Sequence, residues 1–158
     1  MPKTIDNKLF LDWNDLEEKI NSLVEKTGKE YSGIMCIATG GLVIGKLIAD
    51  HTGLPLYVIA AQSYEKGEEA QKELQIGTIS NIGTIKGKIL LVDDLSDTGK
   101  TLIRIMEEIK KECPLVSQMS TATIYKKPHA KFTPDYYVEE IDKWVVFPYE
   151  KEEFKRLR

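Results

Sequence analysis

The chain alternates between stretches in which apolar residues recur every three or four positions and short runs that are apolar throughout. The first pattern is typical of helices that bury one face, and the second of strands that are buried on both faces. Helical spacing begins after Asp12, a suitable N-cap, ends at Gly28, and returns over 42–51 and 102–109. Largely apolar runs predict strands over 33–38, 56–61 and 88–92, and a further strand is expected over 116–125.

The order of these elements predicts an α/β fold with a mostly parallel sheet flanked by helices. A strand, a glycine turn, a helix and a second strand follow one another over 33–61, which is the pattern of a βαβ unit. Residues 62–77 show little periodicity and are expected to form a long mobile loop with a functional role. Residues 126–150 hold many of the aromatic side chains in short strand-like pieces, so we expect a core of about 1–125 and a small C-terminal hood.

Composition narrows the class of protein. A length of 158 residues predicts a single domain over 1–158. With 22 Lys and Arg against 25 Asp and Glu, the net charge of -3 argues against a general nucleic-acid binder. The sequence lacks an apolar run long enough to span a membrane or form a signal peptide, and Cys36 and Cys113 lie in apolar surroundings as reduced core residues do. We therefore expect a cytoplasmic protein.

One segment combines acidic residues with a glycine turn at a predicted strand end. Asp93 and Asp94 follow the strand over 88–92, and 97–101 opens the next helix. Ligands bind at this edge of parallel sheets, and the amide groups of a glycine turn and a helix N-terminus suit a phosphate dianion. The two carboxylates would then serve a divalent cation or sugar hydroxyls. A phosphorylated sugar fits this segment, because its hydroxyls suit the two carboxylates and its phosphate suits the amide groups of the turn.

Other interpretations of this segment fit less well. A nucleotide-binding P-loop requires glycine five residues before Gly99, where this chain has Asp94. A phosphoacceptor receiver module places its clustered aspartates after the first strand, with the acceptor much later in the chain. An acidic turn that only caps a helix would need one carboxylate. His51 and His129 lack a metal-binding pattern around them, so neither is a strong candidate.

The segment 90–102 closely resembles the phosphoribosyl pyrophosphate (PRPP) signature of the type I phosphoribosyltransferases. In register with it, 40–45 is similar to the pyrophosphate loop of that family, and 63–64 to the start of its flexible catalytic loop. The segments 123–128 and 144–148 resemble the base-binding hood of the xanthine-guanine branch. The resemblance implies the type I phosphoribosyltransferase fold.

The resemblance also implies roles for individual residues. Asp93 and Asp94 would hold the ribose hydroxyls and help to place Mg²⁺, and Asp97 would be the catalytic residue that accepts a proton near N7 of the purine. The 5′-phosphate would bind to Asp97, Thr98, Gly99, Lys100 and Thr101. Pyrophosphate would bind to Thr39, Gly40 and Gly41, with Lys72 from the mobile loop.

Base recognition is implied by the same resemblance. Lys127 would donate to the exocyclic O6, which distinguishes an oxopurine from adenine, whose amino group at that position is a donor. Trp144 would stack on the purine, and the backbone carbonyl of Val145 would accept from a 2-amino group. Lys126 would point to the opposite face of a continuing strand, so only one of the two lysines can reach the base.

The expected activity is transfer of phosphoribose from PRPP to N9 of guanine, xanthine or hypoxanthine, with Mg²⁺ as cofactor and a homodimer or homotetramer as the assembly. One position departs from the family, which usually has arginine or lysine in contact with pyrophosphate where this chain has Thr39. That departure supports an alternative hypothesis, in which the protein has the fold, binds a nucleotide and acts as a catalytically weak regulator.

Overall fold

The main sheet has six strands in the order β5-β4-β3-β6-β7-β8, in a computed structural model that describes residues 1–66, 71–79 and 82–156. All neighbouring strands are parallel except β4 and β5, which are antiparallel. The strands are β1 Lys3–Ile5, β2 Lys8–Phe10, β3 Gly33–Ala38, β4 Leu56–Lys66, β5 Gln71–Ile79, β6 Gly87–Ser96, β7 Val116–Lys126, β8 Tyr136–Glu140 and β9 Trp144–Val146. The helices are α1 Trp13–Thr27, α2 Leu42–Thr52, α3 Lys100–Glu112 and α4 Lys151–Arg156.

Helices cover both faces of this sheet, as the apolar spacing predicts. Asp12 and Asp15 form a reciprocal capping box at the start of α1, and Gly28 ends the helix with a φ of 70°. One apolar core joins α1 and α2 to one face of the sheet, and a second joins α3 to the other face. Cys36 and Cys113 are both buried free thiols, which confirms their prediction as core residues.

Strand β6 continues past the acidic pair, although the sequence pattern predicts that the strand ends at Val92. Asp93 pairs with Thr123, and Leu95 with Tyr125, before the strand ends at Ser96. The prediction was wrong because it relied on apolar side chains alone. Strand β7 runs alongside for its whole length, so the backbone hydrogen bonds continue where the side chains become polar.

The predicted mobile loop over 62–77 is also corrected. Residues up to Lys66 continue β4, and Gln71 begins β5, which pairs back on β4 in antiparallel register from Lys66 and Gln71 to Ile59 and Ile79. Residues 67–70 lie outside the described part of the chain. Two strands can pair through their backbones even where the sequence has no apolar alternation. The absence of hydrophobic periodicity over 62–77 was therefore not sufficient to predict a loop.

The hood contains strands from both ends of the described chain. Strand β9 pairs in parallel with β2, and β2 pairs with β1, so that residues 3–10 join the piece over 144–146 in a three-stranded sheet. Strand β8 lies inside the predicted hood range but forms the edge of the main sheet. Short strands from either side of the expected boundary thus pair with partners that are distant in sequence, and the division into a core of about 1–125 and a hood of about 126–150 stays a prediction. Within the described residues, each helix is too short or too polar to cross a bilayer.

Candidate active site

The carboxyl ends of β3, β6 and β7 lie side by side at one edge of the main sheet. Cys36 on β3 pairs with Val92 on β6, and Asp93 on β6 pairs with Thr123 on β7. Strand β3 has β4, the next strand in the chain, as its neighbour on one side and β6 as its neighbour on the other side. This is the kind of position where parallel sheets form a ligand-binding crevice.

The loop after β3 packs directly against the acidic pair. A Cβ atom on Gly40 would lie 2.7 Å from Oδ2 of Asp94, and one on Gly41 would lie 2.7 Å from the carbonyl oxygen of Val92. The Gly41 amide donates to the carbonyl of Ile37 at 2.8 Å, and the Ala38–Thr39 peptide bond is cis. The structure thus brings the predicted pyrophosphate loop and the predicted sugar-binding acids together, and two glycines allow this approach.

The two adjacent carboxylates are held mainly by backbone amides. Asp93 Oδ1 accepts from the Asp94 amide at 2.9 Å, and Asp94 Oδ1 accepts from the Leu95 amide at 2.7 Å. The Tyr149 hydroxyl donates to Asp94 Oδ2 at 3.4 Å. Burial, together with the negative charge of Asp94, raises the pKa of Asp93 well above its usual range. Burial also raises the pKa of Asp94 and that of Tyr149. A cation beside this pair would relieve the unfavourable negative charge.

The turn between β6 and α3 presents the first backbone amides of the helix, and its N-cap residue has no side chain to cap them. Gly99 is the N-cap of α3 with a φ of 87°, and a Cβ atom there would lie 2.5 Å from Cβ of Phe132. The Lys100 amide donates to the hydroxyl of Thr98 at 3.3 Å. Both the backbone angle and the close contact favour glycine at 99. The positive end of the helix and its first amides point to an anion-binding turn, as the sequence predicts.

A cavity of about 310 Å³ opens beside this turn. It is lined by residues from the end of β6, from the turn after β7, and from β9 to α4. The cavity brings together five residues singled out from the sequence, which are Asp94, Asp97, Lys127, Trp144 and Val145. The other lining residues are Leu95, Val146, Phe147, Glu150, Glu153 and Phe154.

The two consecutive lysines have different surroundings. Lys127 lines the cavity, and its amine donates to the carbonyl of Lys143, the residue before Trp144. The amine of Lys126 instead lies 2.6 Å from Oε2 of Glu140. Trp144 is 64% exposed although it lines the cavity, so its ring is available to a ligand and is not part of the hood core.

Several predicted PRPP-binding residues lie along the same sheet edge but do not line the cavity. They are Thr39, Gly40 and Gly41 after β3, Asp93 on β6, and Thr98, Gly99, Lys100 and Thr101 around the start of α3. Lys72 belongs to β5, and its side chain lies outside the described part of the structure.

Sequence reasoning missed three polar residues of this site. His129 Nε2 lies 2.6 Å from Oδ1 of Asp97, and Tyr149 contacts Asp94. Glu150 lines the cavity and accepts from the Phe147 amide at 3.1 Å, and burial raises the pKa of its carboxyl to about 7. The sequence around these residues does not predict their contacts. The partners of His129 and Tyr149 lie far along the chain, and Glu150 lies in an aromatic-rich segment that predicts only a hood.

The acidic pair fits Mg²⁺, which binds hard oxygen ligands and commonly takes one or two carboxylates together with substrate phosphates. Among the described residues, no group of three or more His, Cys, Asp and Glu side chains forms a complete metal site. Asp93 and Asp94 would therefore contribute part of a coordination shell that a phosphorylated substrate and water complete.

Comparison with known proteins agrees with this geometry. Residues 6–152 match the phosphoribosyl transferase domain family. A xanthine-guanine phosphoribosyltransferase of Nitratidesulfovibrio vulgaris is 33% identical over 125 residues, which are 77% of this chain and 71% of the relative.

Two solved structures share the fold. A purine phosphoribosyltransferase from Pyrococcus horikoshii has a TM-score of 0.80 and 34% identity, and the match covers 92% of this chain and 95% of that one. A xanthine-guanine-hypoxanthine phosphoribosyltransferase from Helicobacter pylori has a TM-score of 0.78 at 22% identity, over 95% and 97% of the two chains. At that lower identity, the second likeness concerns the fold alone.

Proposed function

This chain belongs to the phosphoribosyl transferase domain family and is a purine phosphoribosyltransferase, and we propose that it transfers the 5-phosphoribosyl group of PRPP to N9 of a 6-oxopurine. The products are the nucleoside monophosphate and pyrophosphate. Guanine, xanthine and hypoxanthine are the proposed acceptors, which gives the enzyme a role in purine salvage.

The observation that carries this proposal is the composition of the cavity. Asp94 and Asp97 come from the segment that resembles the PRPP signature, and Lys127, Trp144 and Val145 come from the segments that resemble a base-binding hood. Two groups of residues separated in sequence thus line one cavity. This arrangement supports a reaction between a phosphorylated sugar and a flat heterocycle.

The loops beside the cavity would bind the two ends of PRPP. The amides of the turn at 97–101 would bind the 5′-phosphate, and the loop at 39–41, with Lys72, would bind pyrophosphate. Because Gly40 contacts the Asp94 carboxylate, the pyrophosphate and sugar sites would lie next to each other. That placement would put C1′ of the sugar near the cavity that receives the base.

In the proposed reaction, the N9 lone pair of the purine forms a bond to C1′ while the bond from C1′ to the pyrophosphate oxygen breaks. The bonding electrons leave with pyrophosphate, and Asp97 accepts the proton that the base gives up at N7. The sugar develops positive charge as the bond breaks. The carboxylates of Asp93 and Asp94 would stabilise this charge.

Asp93 and Asp94 are also the residues that would hold Mg²⁺. The bound cation would neutralise the negative charge that develops on pyrophosphate as it leaves. The raised pKa of Asp93, which burial and the neighbouring carboxylate cause, supports this role because a cation offsets both effects.

Base selection would depend on Lys127 and the hood. The amine of Lys127 would donate to O6, an acceptor in oxopurines that adenine replaces with a donor. The exposed ring of Trp144 offers a stacking surface for the purine. The carbonyl of Val145 would accept from the 2-amino group of guanine.

The test is a panel of guanine, xanthine, hypoxanthine, adenine and uracil with PRPP and Mg²⁺, with pyrophosphate release as the measurement. We expect turnover with at least one 6-oxopurine and little with adenine or uracil. In the matched variant Asp97→Asn, turnover should fall by about 10² to 10⁴, the usual effect of removing a positioned base. Turnover with none of the five bases would contradict the proposed reaction.

We further propose that the enzyme acts in the cytoplasm as a homodimer or homotetramer, as its resemblance to the family implies. Light scattering of the purified protein, with and without PRPP, would measure the assembly. A monomer at micromolar concentration under both conditions would contradict the proposed oligomer.

A further inference from the structure

The turn after β7 lies along the turn that opens α3, and backbone hydrogen bonds join the two. The amide of Lys127 donates to the carbonyl of Ser96 at 2.9 Å, and the amide of Lys131 donates to the carbonyl of Thr98 at 3.1 Å. The segment 127–131 is therefore anchored at both of its ends. The base-binding lysine and the proposed phosphate-binding turn share this connection.

His129 lies between these two anchors and contacts Asp97, which lies between Ser96 and Thr98. Its Nε2 is 2.6 Å from Oδ1 of Asp97. Since an ionised carboxylate can only accept, Nε2 carries the hydrogen of this bond. The two side chains are 57% and 64% exposed, and Asp97 also lines the cavity, so a ligand there can still reach its carboxylate.

We propose that His129 is a positioning residue for Asp97, an inference that rests on the proposed function. The hydrogen bond to Oδ1 restrains the carboxylate of Asp97, whose other oxygen then remains to accept the proton from the purine. His129 keeps its own proton throughout. A base that a third group orients is a recurring arrangement in catalytic sites.

The effect should be on rate more than on stability, because a polar contact between two exposed side chains contributes little to the free energy of unfolding. Removal of the donor in His129→Leu should lower kcat on the order of tenfold, the usual effect of losing one hydrogen bond to a charged group. The KM for PRPP should change little. His129→Gln, whose side-chain amide can donate to Asp97, should recover most of the lost rate.

The other histidine provides a matched control. His51 is exposed in the last turn of α2, and His51→Leu should leave kcat unchanged. An unchanged kcat in His129→Leu, or equal losses in His129→Leu and His129→Gln, would overturn the proposal.

A double-mutant cycle separates positioning from a structural effect on the turn. If His129 acts through Asp97, His129→Leu should cause no further loss of kcat in an Asp97→Asn background. Losses that multiply in the double variant would overturn the proposal, because they would show that His129 acts independently of Asp97.

Side-chain ¹⁵N spectra test the pair without turnover. Since the chain has 2 histidines, His51→Leu assigns the ring signals. Asp97→Asn should shift the His129 signals and leave those of His51 in place, and unshifted His129 signals would overturn the proposal. A wild-type protein without turnover would contradict the proposed function and the catalytic consequence of the pair, while the spectra would still show whether the pair forms.

Discussion

Gly40 and Asp94 are in such close contact that a Cβ atom at position 40 would lie 2.7 Å from the carboxylate oxygen Oδ2. The carboxylate cannot move away freely, because its two oxygens accept from the Leu95 amide and the Tyr149 hydroxyl. The loop after β3 and the acidic pair therefore form one site, although more than fifty residues separate them in sequence.

The first prediction follows from this contact. In Gly40→Ala, the added methyl group should displace the Asp94 carboxylate, with an overpacking cost of about 1 to 3 kcal/mol in the free energy of unfolding. We expect kcat/KM for PRPP to fall together with altered Mg²⁺ dependence. Gly83→Ala is the control, since a Cβ atom at 83 would have no heavy atom within 4 Å. Equal kinetics in the two variants would contradict this prediction.

The second prediction concerns Asp94→Asn, which should lower turnover by about tenfold or more, because it removes charge beside the proposed sugar and Mg²⁺ sites. The same change should raise the melting temperature at neutral pH. Burial raises the pKa of the Asp94 carboxyl in the folded state. The contribution of this carboxyl to the free energy of unfolding is therefore full at pH values below its unfolded pKa, and it is lost as the pH rises through its folded pKa.

Melting curves at several pH values check the sign. The stability advantage of Asp94→Asn over the wild type should be smallest near pH 4 and should grow toward neutral pH. A variant that is less stable than the wild type at pH 7 would contradict the prediction that the charge is unfavourable in the folded protein.

The origin of these contacts shows how far sequence reasoning extends. Asp12 caps α1 by contacts with Asp15, three residues along the chain, and the acids at 93–94 follow an apolar run directly. Both features can therefore be predicted from a short stretch of sequence. The contact between His129 and Asp97 depends instead on the path of the turn after β7 over the turn before α3. The pairing of β2 with β9 likewise joins strands of three residues, which are too short for a periodic pattern.

The third prediction concerns base choice. Lys127→Ala should raise the KM for oxopurines much more than the KM for PRPP, because the lost donor would face the base in the proposed site. Lys126→Ala is the control: its amine pairs with Glu140, so we expect a change in stability without a change in base preference. Steady-state kinetics with guanine and hypoxanthine measure the effect. If only Lys126→Ala weakens oxopurine use, the assignment of the two lysines is reversed.

The fourth prediction concerns stacking. Trp144 is 64% exposed, so Trp144→Ala should cost little stability, yet it should weaken purine binding by about 1 to 3 kcal/mol, by analogy with bases that stack on aromatic side chains. Calorimetry with guanosine monophosphate measures this loss. Trp13→Ala is the control, since Trp13 is also exposed but lies at the start of α1. Equal nucleotide affinity in the two variants would exclude the stacking role of Trp144.

The last prediction concerns Thr39, an exposed residue where the resemblance implies a basic side chain. Pyrophosphate is the most highly charged part of PRPP, and one missing charge-assisted hydrogen bond to it is worth about 1.5 to 3 kcal/mol unless another cation replaces it. Lys46 pairs with Asp50 and is therefore not the expected replacement. Lys72, on the ribbon formed by β4 and β5, is the residue we expect to contact pyrophosphate.

If Lys72 supplies this contact, Lys72→Ala should raise the KM for PRPP by about tenfold or more, whereas Thr39→Arg should change it little. Lys46→Ala is the matched control and should leave the KM for PRPP unchanged. An improvement of about tenfold in kcat/KM in Thr39→Arg would contradict the prediction, because it would show that no other cation compensates at this position. A wild-type protein that binds guanosine monophosphate but neither binds PRPP nor releases pyrophosphate would contradict the proposed reaction as well. That result would mean that no basic side chain contacts pyrophosphate at the loop that holds Thr39.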